Sequence, residues 1–164
     1  MHSAQRRRVA NMLGGLSVAI GDDVAAGSHE AALVSLDSHP ASTVTQLSRA
    51  LGRSHSAAVR LVDGLERDGL VRRQRASDAR SVALGLTLAG AAAAASVREA
   101  RARTLNGLVD ALADGDVARL EPLLERLLAA SAVDADSRWR TCRLCDERLC
   151  ENHVRCPVDE AAPR

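Results

Sequence analysis

Lysine, phenylalanine and tyrosine are missing from the 164 residues, and tryptophan occurs once, as Trp139. A chain with so few rings gives no support for a stacked aromatic pocket, and its core has to be built from Leu, Val and Ala. All 22 basic residues are Arg. Long apolar runs are also absent: the alanine run 91–95 is far too short to span a bilayer and lies among charges. The four cysteines all fall between Cys142 and Cys156, so the rest of the chain cannot be a disulfide-built fold. With 26% charged and 46% hydrophobic residues the chain reads as globular, and it is long enough for one substantial core or for one domain with an appendage. No internal repeat is visible.

A net charge of +1 offers no global attraction for nucleic acid, but the charge is unevenly spread. Between Thr43 and Arg80 stand Arg49, Arg53, Arg60, Arg67, Arg72, Arg73, Arg75 and Arg80 against Asp63, Glu66, Asp68 and Asp78. A neutral protein with one basic face is compatible with DNA binding. At the start, Arg6-Arg7-Arg8 followed by Val9 to Ile20 superficially resembles a leader peptide. Asn11 and two glycines interrupt that run, whereas Val9, Met12, Leu13, Leu16 and Ile20 form one helical stripe. The expectation is an amphipathic helix over about residues 5–22 in a cytoplasmic protein with no membrane partner.

The stretch from Thr43 to Gly90 is the most informative. Thr43 and Gln46 have capping-box spacing, Val44, Leu47, Ala50 and Leu51 follow at helical period, and Gly52 closes the segment. Ser54 is placed to cap a second helix whose inner face is Ala58, Leu61, Val62 and Leu65, with Gly69 ending it after Asp68. Two short helices around a glycine-containing turn form a helix-turn-helix, and the second would enter the major groove. Residues 70–75 and 81–87 then read as two strand-like runs across the turn-like spacer 76–80. Val82, Leu84 and Leu86 alternate at period two. A helix-turn-helix with such a hairpin is a winged helix.

The string Asp78-x-Arg80-Ser81-x-x-Leu84-x-Leu86-Thr87-x-x-Gly90 resembles the wing signature of the MarR (multiple antibiotic resistance) family of transcriptional regulators. Ser56 to Asp63 and Gly69 to Arg73 are similar to that family's recognition helix and its exit. The resemblance covers about residues 5–131. It implies a mainly α fold with a small β wing, a winged helix-turn-helix joined to a helical dimerisation region. It also implies double-stranded DNA as partner, a homodimeric repressor reading an inverted repeat, and a small-molecule effector. The expected division is 1–27 (N-terminal dimerisation helix), 28–87 (winged helix-turn-helix), 88–131 (C-terminal dimerisation helices) and 132–164 (linker and Cys-rich segment).

Candidate DNA contacts follow. Ser54, His55, Ser56 and Arg60 lie in the first turns of the second helix, where base edges are reached. The Arg60 fork matches the O6 and N7 acceptors of guanine, although a phosphate contact or an ion pair to Asp63 or Glu66 would use it equally well. Arg72, Arg73, Arg75 and Arg80 flank or tip the wing. By the resemblance, Arg80 enters the minor groove and Asp78 positions it.

Ser28 caps a short helix bearing Ala32, Leu33 and Leu36, which Pro40 ends. Thr87 caps a long helix running through Leu105 and Leu108 to Leu112. Asp114-Gly115-Asp116 makes a turn and cap. A last helix carries Val117, Leu120, Leu123, Leu124, Leu127 and Leu128, with Pro122 as a site for a kink. These end helices carry more apolar surface than a lone winged helix can cover, which points to a homodimer. Residues 131–140 read as a polar linker. Cys142, Cys145, Cys150 and Cys156 then follow a C-x2-C-x4-C-x5-C pattern. Four thiols in fifteen residues suit Zn²⁺, and Cys156-Pro157 equally suits an iron–sulfur cluster, while a thiol–disulfide switch is the third option. His153 is a spare ligand, and Trp139 either packs over this site or anchors the tail. The C-x-x-C pair lies outside any βαβ pattern and no triad, carboxylate pair or phosphate loop is present, so no enzyme is expected. The alternative reading is a zinc- or iron–sulfur-bearing protein-interaction module without specific DNA binding.

Overall fold

The computed structural model describes residues 2–21, 27–75, 82–146 and 156–161. Its elements are α1 (His2–Ala19), α2 (Ser28–Ser38), α3 (Val44–Ala50), α4 (His55–Arg67), β1 (Val71–Arg75), β2 (Val82–Leu86), α5 (Leu88–Val109), α6 (Asp114–Ala130), α7 (Ser137–Cys142) and α8 (Pro157–Ala161). The fold is mainly helical, and β1 and β2 pair antiparallel with Val71 opposite Leu86 and Arg75 opposite Val82.

Helix α2 is the hub. Residues 31–36 are buried in succession, so it is enclosed on nearly every side, and it packs against α3, α4, α5 and β2. Its Ala32, Leu33 and Leu36 meet Leu47 of α3, Val62 and Leu65 of α4, Val71 and Leu84 of the strands and Ala94 of α5. No side chain in that cluster is larger than Leu, as the composition requires. The face of α4 expected to be inside is inside: Ala58, Val62 and Leu65 are buried and Leu61 packs at the edge.

Local chemistry sets the helix starts. Thr43 accepts from the Gln46 amide while Gln46 Oε1 accepts from the Thr43 amide at 2.8 Å, a complete capping box. Ser54 Oγ accepts from Ala57 N, and Thr87 Oγ1 accepts from Gly90 N at 3.1 Å. Gly52 and Gly69 both end their helices with positive φ (61° and 71°), the left-handed conformation that glycine adopts without steric cost. Gly90 is required for a different reason. A Cβ there would stand 2.0 Å from the Leu70 carbonyl oxygen, because the first turn of α5 crosses directly over the chain leaving α4.

Four expectations are corrected. Ser28 is the first helical residue of α2 rather than its cap; extended Gly27 holds the cap position, and Ser28 Oγ instead accepts from Arg53. Helix α5 stops at Val109, short of Leu112, so the turn falls at 110–113; Asp114 and Asp116 become first-turn acids of α6, where they complement the helix dipole. In β2 the buried residues are Ala83 and Leu84, while Val82 at the wing end of the strand is exposed, so alternation fails at that end. Finally, 131–140 is no linker. Ser137 Oγ accepts from the amides of Val133 and Asp134, Arg140 pairs with Asp134, and α7 forms and returns to pack on α3.

Helices α1 and α6 are the opposite of α2. Val9, Met12, Leu13 and Leu16 of α1 and Leu123, Leu124, Leu127 and Leu128 of α6 are all exposed, with Met12 at 60%. Among the described residues no helix is long and apolar enough to cross a membrane.

Candidate nucleic-acid interface and cysteine site

The start of α4 presents a polar, outward-facing surface. Ser54, His55, Ser56 and Arg60 are all exposed, and Ser54 Oγ lies 3.3 Å from Ser56 Oγ. The helix behind them is fixed from within by Ala58, Val62 and Leu65, so its exposed end is carried on a rigid base. Arg60 makes no ion pair among the described residues, and the nearby acids Asp63 and Glu66 are taken by Arg73. Arg73, in β1, reaches back to α4 with Nη2 2.7 Å from Asp63 Oδ1 and Nη1 on Glu66, whose other oxygen accepts from the Arg73 amide at 3.3 Å. Asp63 first, and then Glu66, hold the Arg73 guanidinium above its ordinary pKa. Arg73, one of the expected DNA contacts, thus pairs with two acids of α4 and fixes the wing strand to that helix.

Arg72 and Arg75 are exposed on β1. Opposite Arg72 lies Gly85, and a Cβ at that glycine would come within 3.1 Å of Gln74 Nε2 and 3.7 Å of Arg72 Nε. The missing side chain lets the polar side chains of β1 lie across the wing. Asp78 and Arg80 lie outside the described residues.

The cysteines form a second centre. Cys142, at the end of α7, is buried, and its Sγ is 3.7 Å from Cys156 Sγ, at the start of α8. Cys145 Sγ lies 3.9 Å from the Thr141 carbonyl. Hydrogen bonding to Cys145, then burial, then the charges of Cys145 and Cys156 push the Cys142 thiol well up. Cys142, Cys145 and Cys156 are therefore brought together with no disulfide between them, and Cys150 and His153 lie outside the described residues. Among the described residues no group of three or more His, Cys, Asp or Glu side chains is arranged to hold a metal ion. One neighbour was missed in the sequence: Arg101 of α5, lowered by burial, is close enough for the Cys145 charge to oppose that shift. Nothing in its helical context marks it.

The surroundings tie this centre to both halves of the molecule. Trp139 meets His39 edge-on at 4.8 Å between ring centroids, and Arg138 lies over its ring, so the tryptophan anchors the tail. Leu144 is buried against Ala31 and Val34 of α2. Helix α8 packs on α6 and α7, with Val158 buried and Arg138 3.1 Å from Asp159.

A capped, outward-facing second helix followed by a two-stranded wing defines a winged helix-turn-helix protein. Residues 29–82 match the model of the MarR family. Among solved structures, a MarR family protein from Bacillus stearothermophilus is 26% identical, with a TM-score of 0.57 over 77% of this chain and 89% of that one. The YusO protein from Bacillus subtilis is 18% identical, with a TM-score of 0.65 over 77% and 96%. Streptococcus pneumoniae FabT, solved in complex with DNA, is 17% identical, with a TM-score of 0.61 over 77% and 94%. No curated protein matches the chain.

Proposed function

We propose that this protein is a homodimeric DNA-binding transcription regulator that places α4 in the major groove of an inverted repeat and lays its wing beside it. The observation that carries this reading is the start of α4, where Ser54, His55, Ser56 and Arg60 stand exposed on a buried base and Arg60 is unpaired among the described residues. Arg72 and Arg75 extend the same basic surface along β1. The likeness to FabT, itself solved with DNA, supports the class of partner. A second copy of the chain is the natural cover for the exposed leucines of α1 and α6, since leaving such stripes in water is disfavoured by about 25 cal/mol per Å².

The test is selection from a pool of randomised duplexes followed by anisotropy titrations at several salt concentrations. An enriched inverted repeat with half-site centres about one helical turn apart, bound with a steep loss of affinity as salt rises, is the expected outcome. Failure to enrich any sequence would sink it and leave an interaction module.

The same reading gives the cysteine segment a sensing role. Thiolate donors suit Zn²⁺ or an iron–sulfur cluster, and Cys142, Cys145, Cys150 and Cys156 are the residues that would hold either one. Metal analysis and a visible spectrum of protein prepared without oxygen separate these two, and metal-free protein leaves thiol chemistry.

A further inference from the structure

We propose that Cys142 and Cys156 are a redox modification site: in the metal-free chain they close to a reversible disulfide that locks α8 onto α7. This deepens the sensing role above, though formation of the bond itself does not depend on DNA binding. The two sulfurs stand 3.7 Å apart as free thiols, so a small side-chain and backbone adjustment brings them to bonding distance. The pair also differs in access. Cys142 is buried, whereas Cys156 is partly exposed, so an outside oxidant reaches Cys156 first.

With a small-molecule disulfide RSSR as oxidant the chemistry balances. The Cys156 thiolate attacks one sulfur of RSSR, forming a mixed disulfide and expelling RS⁻. That RS⁻ takes the Cys142 proton and leaves as RSH. The Cys142 thiolate then attacks Cys156 Sγ, forming the intramolecular bond and expelling the second RS⁻, which leaves as a second RSH once protonated by solvent. Two electrons pass from the two cysteines to RSSR. The second attack is intramolecular, which favours it over attack on a second oxidant molecule.

The position of the bond gives it a consequence. Helix α7 is held on the DNA-reading half by its packing on α3 and by Trp139 on His39, whereas α8 is held on α6. In the reduced chain α7 and α8 pack together and share the exposed Arg138–Asp159 pair, and such pairs contribute little. A covalent bond at Cys142–Cys156 therefore fixes the winged helix to α6, and through α6 to the surface proposed for the second subunit.

The experiment uses the full-length protein, reduced and treated with chelator, then exposed to oxidised glutathione. Non-reducing peptide mapping should show Cys142 linked to Cys156, reversed by dithiothreitol. Cys142→Ser and Cys156→Ser should each abolish the link, and Cys145→Ser and Cys150→Ser should each retain it. Hydrogen exchange should slow in α8 and the facing part of α6 on oxidation, a change that a cross-link without a locking role would not produce. Circular dichroism of each variant guards against misfolding. A stable glutathione adduct, a different pairing, unchanged exchange, or a metal that resists the chelator and blocks all four thiols would each overturn the proposal. If the bond forms and protects α8 but no duplex is ever selected, the regulator reading has failed and this one has not.

Discussion

Gly90→Ala is the sharpest test of how the wing is joined to the helices. The added Cβ would stand 2.0 Å from the Leu70 oxygen and 2.9 Å from its carbonyl carbon, while real Cβ contacts essentially never fall below 3.0 Å. The crossing must therefore open by about 1 Å, and the obstructing atom is backbone, which cannot rotate away as a side chain would. Opening it sacrifices the Thr87 N to Leu70 O bond (3.0 Å) and the Thr87 Oγ1 to Gly69 O bond (2.7 Å). Two such bonds contribute about 1 kcal/mol each, and overpacking strain adds about 1–3 kcal/mol. Replacing glycine by alanine in a helix returns at most about 1 kcal/mol. The net loss is about 2–4 kcal/mol. Urea denaturation at one fixed protein concentration reads it, because a dimer's midpoint depends on concentration. Gly64→Ala is the control: its Cβ would find only His29 Nε2 at 3.7 Å, an ordinary contact, so stability should hold or rise by up to about 1 kcal/mol. A Gly90→Ala midpoint equal to wild type, with an unchanged slope, refutes the argument.

Other outcomes follow from the site. Arg60→Ala should weaken operator binding by about 1–3 kcal/mol and relax preference at one base position if its fork contacts guanine; an unchanged selected sequence and affinity would remove Arg60 from the base-reading set. Replacing Leu124 and Leu127 together by Ala should lower the dimer fraction seen by sedimentation, since both are exposed in the single chain; a dimer of unaltered affinity would move the subunit interface elsewhere. Asp134 is held below its ordinary carboxylate pKa, first by the Arg140 hydrogen bond and then by Ser137. A depressed pKa stabilises the fold above the ordinary value and loses that contribution as pH falls through and below it. Acidification should accordingly loosen the segment bearing Trp139, visible in the emission of the chain's one tryptophan, and Arg140→Gln should flatten that pH response; an identical acid profile in the variant would contradict the pairing.

The winged helix-turn-helix is largely legible because its boundaries are decided by neighbours three or four residues apart. Thr43 with Gln46, Ser54 with Ala57, and Thr87 with Gly90 are all closed within one helical turn, and Gly52 and Gly69 sit where the chain needs a positive φ. What escaped depends on distant partners. Ser28 looks like a cap until Arg53, twenty-five residues away, claims its hydroxyl. Arg73 looks like a phosphate ligand until the hairpin folds back and brings Asp63 and Glu66 to it. Residues 131–140 are polar enough to pass for a linker. They are ordered by Asp134 gripping Arg140 and Ser137, and by Trp139 meeting His39 from the far end of the sequence. Arg101 carried no local signal, since its meaning comes only from the cysteine that the returning tail sets beside it.

The Arg73 pairing also bears on how this face would present itself to a polyanion. Asp63 and Glu66 put two negative charges on the helix proposed to approach phosphate, and the field they create is screened from behind by a cation on another element. The first wing strand thus acts as an internal counterion for α4. Removing that guanidinium would uncover both carboxylates and repel DNA without a single lost contact to it, so an alanine substitution at Arg73 would mimic loss of a DNA ligand. Neutralising the acids as well, with Asp63→Asn and Glu66→Gln, should then restore much of the affinity, as no true phosphate ligand could.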